Sequence, residues 1–141
     1  MPQASEKEEK VEYAKNPYKK IIKHHSSEIY CLTSSYNGNL LATAGGDKLI
    51  KLYDPLNLKT LISIPSNSAE NIFISLHLNY VGDRLVAGST DKSVSIFNTS
   101  TGKQLGCFVG HGEKINAVAF TNTKEKCVSG SDDRQLKFWD L

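Results

Sequence analysis

The chain has 141 residues, which is enough for one domain with a buried core. Its 17 Lys and Arg residues nearly balance its 15 Asp and Glu residues, which excludes the whole-domain basic field typical of nucleic-acid-binding proteins. The three cysteines lie far apart and form no C-x-x-C pair, so neither a disulfide framework nor a zinc site is predicted. No apolar stretch approaches the roughly 20 residues of a membrane-spanning helix, and we expect a protein of the cytoplasm or nucleus.

The first predicted element is a flexible charged arm over residues 1–16. It mixes both charges, has few large apolar residues and cannot bury enough surface to offset the entropy of ordering it. From residue 17 to 141, short β-branched and aromatic runs alternate with turn signals such as Asn37-Gly38. Nothing in this part sustains a helical period, so it is predicted to be all-β.

The segment 17–141 contains an internal repeat. The stretches TAGGDKLIKLYD, AGSTDKSVSIFN and SGSDDRQLKFWD align without gaps, and their central residues Asp47, Asp91 and Asp133 recur at a period of about 42 residues. His25 and His111 stand at equal distances before Asp47 and Asp133. Two independent landmarks therefore share one period.

This period, a Gly-His pair near the start of a unit and a Trp-Asp pair at its end resemble the WD-repeat family of β-propellers. The resemblance covers roughly residues 18–141. It implies a partial WD-repeat propeller of about three four-stranded antiparallel blades, formed by repeats at about 24–64, 65–108 and 109–141. Tyr18 to Lys23 would then be an outermost strand that belongs to no blade of its own.

In that family, a histidine, a serine or threonine of the second strand, the turn aspartate and a tryptophan form a buried hydrogen-bonded tetrad. The resemblance implies two such tetrads and a remnant, which are His111, Ser129, Asp133 and Trp139; His25, Thr43, Asp47 and Tyr53; and Asp91 alone. Ala87 and Phe97 of the second repeat lack the polar atoms of a tetrad. We therefore expect the middle blade to be the least stable of the three.

A histidine, a serine and an aspartate also occur together in hydrolases, whose serine needs a strained exposed turn and an oxyanion hole. Ser129 instead lies in the middle of a predicted strand, and its repeat equivalents are Thr43 and Ala87. No catalytic residue, enzyme activity or cofactor is therefore predicted. His24 and His25 have no acidic or thiol partner at ligand spacing, so no metal site is predicted either.

The predicted function is protein–protein scaffolding through the loops of the propeller. In the family, contacts cluster on the face that carries the turn before each central aspartate and the loop entering each first strand. The matching candidate partner-binding residues are Glu28, Gly46, Asn71, Thr90, Lys114 and Asp132. No small-molecule substrate and no direct membrane insertion are expected.

The alternative function is that of a WD-repeat adaptor in another complex, of the RNA or chromatin, ubiquitin-ligase or signalling kind. A nucleic-acid adaptor needs a basic face, and the only basic cluster is Lys19, Lys20 and Lys23. Nucleic acid is therefore not the expected partner.

The order of the repeats looks like the opening blades of the autophagy-related sixteen-like proteins. A full first unit is followed by one that enters through SNSAENI rather than Gly-His, and by a third that ends VSGSDDRQLKFWDL. The resemblance implies a cytoplasmic scaffold that partners recruit to autophagosomal membranes. Those proteins carry a conjugate-binding helix and a coiled coil ahead of the propeller, whereas only the short arm precedes it here, so direct binding to the conjugation enzyme is not expected.

Propellers close with about four to eight blades, so three repeats predict one of two arrangements. The favoured one is that the chain is a fragment of a longer propeller. The other is a head-to-tail dimer that closes a six-bladed ring, in which each chain lends its Tyr18 to Lys23 strand to the third blade of its partner.

Overall fold

The computed structural model describes residues 21–122 and 126–141, so the predicted arm over 1–16 and residues Tyr18 to Lys20 lie outside it. The described residues form β-strands joined by turns and loops. The strands are β1 (Ile29–Ser34), β2 (Leu41–Gly45), β3 (Leu49–Asp54), β4 (Lys59–Pro65), β5 (Phe73–Leu78), β6 (Arg84–Ser89), β7 (Ser93–Asn98), β8 (Gln104–Val109), β9 (Ile115–Phe120), β10 (Lys126–Ser131) and β11 (Leu136–Asp140). No helix within 21–122 or 126–141 is long and apolar enough to cross a membrane.

The strands form three antiparallel sheets, which we call blades. Blade 1 is β1-β2-β3-β4, blade 2 is β5-β6-β7-β8, and blade 3 is β9-β10-β11. The first strands lie side by side, because β1 contacts β5 and β5 contacts β9. The predicted all-β propeller architecture is thus confirmed, with three rather than four strands in the described part of blade 3. Residues 21–23, the described part of the predicted strand Tyr18 to Lys23, are not in a strand.

Alternating side chains of the middle blade supply two separate cores. Leu85 and Ala87 of β6 pack with blade 1 in one apolar cluster. Val86, between them, packs in a second cluster with Ile115 and Val118 of blade 3. Successive residues of a strand point to opposite faces, so a strand that is covered on both faces is buried throughout. This explains why β6 and β7 are buried along almost their whole length.

One backbone feature recurs in all three blades at the turn between the second and third strands. The residue after each central aspartate has a left-handed conformation, with φ of 69° at Lys48, 72° at Lys92 and 69° at Arg134. This conformation costs a non-glycine residue about 1–2 kcal/mol. The sequence alignment predicts equivalent turns here, but the side-chain types give no signal of the positive φ.

Because consecutive strands of a blade run antiparallel, the connections between them lie alternately at its two edges. What we call the upper edge carries the turns before β3, β7 and β11 and the segments that lead into β1, β5 and β9. What we call the lower edge carries the turns β1–β2, β3–β4, β5–β6 and β7–β8. The six candidate partner-binding residues all belong to the upper edge.

Candidate functional site

Blade 3 contains a continuous hydrogen-bonded network that starts at the upper edge. His111 Nδ1 lies 2.7 Å from Asp133 Oδ2, and His111 Nε2 lies 2.7 Å from Ser129 Oγ. Trp139 Nε1 donates to the same Ser129 oxygen at 2.8 Å. The network is satisfied when His111 Nδ1 carries the proton and donates to the carboxylate, while the Ser129 hydroxyl donates to Nε2. It joins the loop before β9 to the turn before β11 and to β11 itself.

The network also holds Asp133 in its charged form. Burial opposes ionisation of this carboxyl, but hydrogen bonds from His111, the Gly112 amide and the Gln135 amide outweigh it and lower its pKa to about 2. The Gly112 amide donates to Oδ2 at 3.0 Å. The carboxylate therefore fixes the loop and the turn at once.

Blade 1 brings the other predicted tetrad together with a phenol in place of the indole. His25 Nδ1 lies 2.9 Å from Asp47 Oδ1, and His25 Nε2 lies 2.7 Å from Thr43 Oγ1. The Tyr53 hydroxyl is 3.3 Å from Thr43 Oγ1, a longer contact than that of the tryptophan in blade 3. Burial opposes ionisation of Asp47 too, but hydrogen bonds from His25 and from the Ser26 and Leu49 amides lower its pKa.

Blade 2 lacks the histidine, and Asn71, which is predicted to bind partners, serves its internal structure. Asn71 Oδ1 accepts hydrogen bonds from the Asp91 amide and the Thr90 hydroxyl, both at 3.1 Å. Asn71 is only 5% exposed. Its side chain is therefore used to hold the turn before β7, and its role in partner binding stays a prediction. The one available signal was its position, immediately before the apolar run of β5.

The remnant of the tetrad, Asp91, is placed at the same turn but has different partners. Its carboxylate accepts from the Ser93 hydroxyl at 2.5 Å and from the Ser93 amide at 3.0 Å. The Ser89 hydroxyl donates to it as well. The apolar side chains of Ala87 and Phe97 are buried where blades 1 and 3 have tetrad residues.

The His, Ser and Asp set of blade 3 does not have the geometry of a hydrolase site. Ser129 is 1% exposed, and its oxygen already contacts both His111 and Trp139. A nucleophile needs room for a substrate carbonyl and nearby oxyanion donors, and Ser129 has no such room. His24 stacks on Tyr53 with ring centroids 5.3 Å apart. Across 21–122 and 126–141, no group of three or more His, Cys, Asp and Glu side chains is arranged to hold a metal ion.

The candidate partner-binding residues of each blade are brought side by side by one backbone hydrogen bond. The Gly46 amide donates to the Glu28 carbonyl at 2.7 Å, and the Asp132 amide donates to the Lys114 carbonyl at 3.2 Å. In blade 2 the Thr90 amide donates to the carbonyl of Ile72, next to Asn71, at 2.9 Å. The entering loop and the central turn of every blade thus form one continuous ridge of the upper edge.

The exposed side chains of this ridge carry both signs of charge. Glu28, Lys114 and Asp132 are exposed, whereas Gly46 and Thr90 are half-buried. Lys114 Nζ lies 3.8 Å from Asp132 Oδ2, an exposed pair that contributes little to stability. Hydrogen bonds from the Ser27 hydroxyl, the Glu28 amide and the Tyr30 hydroxyl lower the pKa of Glu28. The ridge is therefore a mixed polar surface of the kind that protein interfaces use at their rim.

Comparisons with known sequences agree with this architecture. The family described as WD domain, G-beta repeat matches residues 16–54 and 102–140, more than half of the chain. Protein tipD of Dictyostelium discoideum is 35% identical over 117 residues, which are 83% of this chain and 19% of that protein. Telomerase protein component 1 of Mus musculus is 32% identical over 126 residues, 84% of this chain and 4% of that protein. The guanine nucleotide-binding protein subunit beta-like protein of Encephalitozoon cuniculi is 29% identical over 124 residues, which are 83% of this chain and 36% of that protein.

The chain spans between 4% and 36% of the length of these relatives. The solved structures of U3-55K and of the RRP9 WD40 repeats each match with a TM-score of 0.81 and cover 86% of this chain and 38% of theirs. Their identities of 21% and 22% support a likeness of fold alone. The two segments matched by the repeat family contain both tetrads, and the middle repeat lies between them.

Proposed function

This chain belongs to the WD-repeat family, and from that premise we propose that it is a non-catalytic scaffold that binds other proteins through its upper edge. The observation that carries the proposal is the internal use of the His, Ser and Asp groups. Ser129, His111 and Asp133 hydrogen-bond to one another, which leaves none of them free for chemistry on a substrate. What these groups accomplish instead is to fix loops at one edge.

A fixed loop is useful for binding because its conformational entropy has already been lost in folding. In each blade, a backbone hydrogen bond joins the entering loop to the central turn. The side chain of His25, Asn71 or His111 makes a second connection between the same two segments. Exposed side chains such as Glu28 and Lys114 then project from a rigid base. A few residues of such a surface carry most of the binding free energy.

A photo-crosslinking amino acid placed at position 114 tests the proposal in cells. Position 63 is the matched control, because Ser63 is exposed on the outer strand β4, away from the upper edge. We expect discrete protein adducts from position 114, absent from position 63 and reduced by Asp132→Lys on the same ridge. Equal adducts from both positions would contradict the upper edge as the binding surface. Hydrolase activity that Ser129→Ala abolishes while the fold stays intact would contradict the absence of catalysis.

A finer proposal is that the partners belong to autophagosome assembly and recruit this cytoplasmic protein to autophagosomal membranes. Its support is the order of the repeats in the sequence, a full unit followed by one that enters through Ser66 to Ile72. None of the relatives described above carries autophagy in its name, and adaptors of RNA, chromatin, ubiquitin-ligase or signalling complexes are the competing assignment. Starvation of cells that express a fluorescent form of the chain separates the two. Punctate recruitment is expected for the first and an unchanged distribution for the second.

We also propose the head-to-tail dimer. Its support is the exposed face of blade 3 that points away from blade 2. Leu136 and Phe138 are 71% and 70% exposed, whereas the equivalent residues Ile50 and Leu52 of blade 1 are fully buried against blade 2. Light scattering on the purified chain tests this pairing. A dimer that Phe138→Asp converts to monomer supports it, and a monomeric parent chain contradicts it.

A further inference from the structure

The lower edge carries two exposed tyrosines from neighbouring blades. Tyr36 lies in the β1–β2 turn and Tyr80 in the β5–β6 turn, and their rings stack with centroids 4.5 Å apart and an angle of 24° between planes. Tyr36 is 77% exposed and Tyr80 is 71% exposed, and Val81 beside them is exposed as well. Large exposed apolar groups that lie together mark interaction sites more often than isolated ones do.

Side-chain hydrogen bonds within both turns fix the tyrosine pair. In the first turn, Ser35 Oγ accepts from the Leu40 amide at 3.0 Å and donates to Asn37 Oδ1 at 2.7 Å. In the second, Asn79 Oδ1 accepts from the Gly82 and Arg84 amides at 2.9 and 3.1 Å. The rings are therefore presented on rigid turns, which lowers the entropy lost when a partner binds.

A glycine lets the two turns touch. Gly82 has a φ of +85°, and a Cβ atom there would lie 3.1 Å from Ser35 Cβ. A larger residue would be strained in this conformation and would push the β5–β6 turn away from the β1–β2 turn. The contact of the turns brings Tyr80 over Tyr36.

A cleft of about 230 Å³ opens beside the pair. Tyr36, Tyr80, His77 and Phe120 contribute its aromatic walls. His77 Nδ1 accepts the Phe120 amide proton at 2.9 Å, so the neutral ring carries its own proton on Nε2. Burial lowers the pKa of His77, which keeps the ring neutral at physiological pH. Among the described residues that line the cleft, none is therefore charged.

We propose that this cleft and the Tyr36–Tyr80 pair bind a proline-rich segment of another protein in the polyproline II conformation. Such segments dock in aromatic grooves, and their carbonyl groups have no internal hydrogen-bond donors. The two tyrosine hydroxyls and His77 Nε2 are donors of the required kind. The cleft is smaller than the roughly 300–1,000 Å³ of a small-molecule site, so it suits one or two side chains of a peptide. Nucleic acids and phosphopeptides are bound through cationic side chains, and none is present among the lining residues that the structure describes.

This inference rests on the proposed scaffold function and adds a second binding surface at the opposite edge. The test is fluorescence anisotropy of a fluorescein-labelled peptide of about ten prolines, titrated with the full chain; an alternating Gly-Ser peptide of equal length is the reference. We expect the proline peptide to bind at least about tenfold more tightly than the reference, and Tyr36→Ala or Tyr80→Ala to remove about tenfold or more of that affinity. Tyr30→Ala, which removes an exposed tyrosine of β1 away from the lower-edge turns, is the matched control and should bind like the parent.

Tyr36→Phe keeps the ring and removes the hydroxyl, so an intermediate loss of affinity is expected, and this variant serves if an alanine variant fails to fold. Equal affinity for the two peptides, or unchanged binding by Tyr36→Ala and Tyr36→Phe, would overturn the proposal. Displacement of the peptide by a single-stranded oligonucleotide would also overturn it, in favour of nucleic acid. If the parent chain does not bind the proline peptide but still crosslinks from position 114, the lower-edge site alone is refuted. The reverse result refutes the upper-edge scaffold instead.

Discussion

In blades 2 and 3, the loop that enters the first strand is attached to the turn before the third strand, but different side chains make the attachment. In blade 3 the side chain of His111 reaches from the loop before β9 to Asp133 and Ser129. In blade 2 the side chain of Asn71 reaches from the loop before β5 to Thr90 and the Asp91 amide. Attachment of the loop is therefore common to both blades, whereas the histidine tetrad is one of two ways to achieve it.

The two blades also differ in what lies beneath the attachment point. Ser129 and Trp139 continue the polar network of blade 3, whereas Ala87 and Phe97 of blade 2 are apolar, and Phe97 packs edge-on to Phe73 at 5.9 Å. An apolar replacement leaves no buried polar group without a partner, so the missing tetrad carries no large penalty. Blade 2 is also covered by a neighbour on each face. The satisfied polar groups and the burial on both faces thus argue against the expectation that blade 2 is the least stable blade.

The largest effect is expected from Leu85→Ala in the core of blade 2. Leu85 is fully buried among the side chains shared with blade 1, so its truncation should lower the free energy of unfolding by about 2–5 kcal/mol. Chemical denaturation measures this change. Leu105→Ala on the exposed face of β8 is the control and should change it by less than about 0.5 kcal/mol. A loss for Leu85→Ala smaller than that for His111→Ala would restore blade 2 as the weak blade.

His111→Ala should destabilise blade 3 by about 1–3 kcal/mol, because the buried Ser129 hydroxyl and the partly buried Asp133 carboxylate each lose their hydrogen bond to the imidazole. Denaturant titration, with the Trp139 fluorescence as a local reporter, gives the value. Lys114→Ala on the same loop is exposed and should leave stability within about 0.5 kcal/mol of the parent. A His111→Ala chain as stable as the control would show that the network contributes no net free energy.

Asn71→Ala should cost about 1 kcal/mol, less than His111→Ala, since the half-buried Thr90 can still reach water. The same denaturation experiment applies, and Asn67→Ala, an exposed asparagine of the same loop, is the control. Unchanged stability combined with loss of the crosslinked partner would support the predicted role of Asn71 in partner binding.

The sequence was sufficient to predict the repeated strands of the blades and both tetrads because these depend on a repeated pattern, whereas residues 21–23 of the predicted strand Tyr18 to Lys23 are not in a strand. Asp47 and Asp133 recur with their histidines at one spacing, and each histidine meets the aspartate of its own repeat. The structural role of Asn71 could not be predicted in this way, because its contacts are peculiar to one repeat and the alignment compares repeats. The stacking of Tyr36 on Tyr80 was missed for a related reason. It joins two turns of different blades, and their approach depends on tertiary packing at Gly82.

The smallest effect is expected for the stability of the chain at acidic pH, to which the Asp133 carboxylate of blade 3 contributes. The Asp133 pKa is lowered in the folded chain to about 2 from an ordinary value of 3.8. A lowered pKa adds stability that is complete above the ordinary value and is lost as the pH falls through the folded one. Asp133→Asn should therefore flatten the decline in the urea midpoint between about pH 4 and pH 2. Asp132→Asn removes the same charge from the same turn and should leave the decline unchanged. Equal slopes for the parent and Asp133→Asn would mean that other carboxylates govern acid unfolding, and that the charge of Asp133 adds no stability to the blade 3 network.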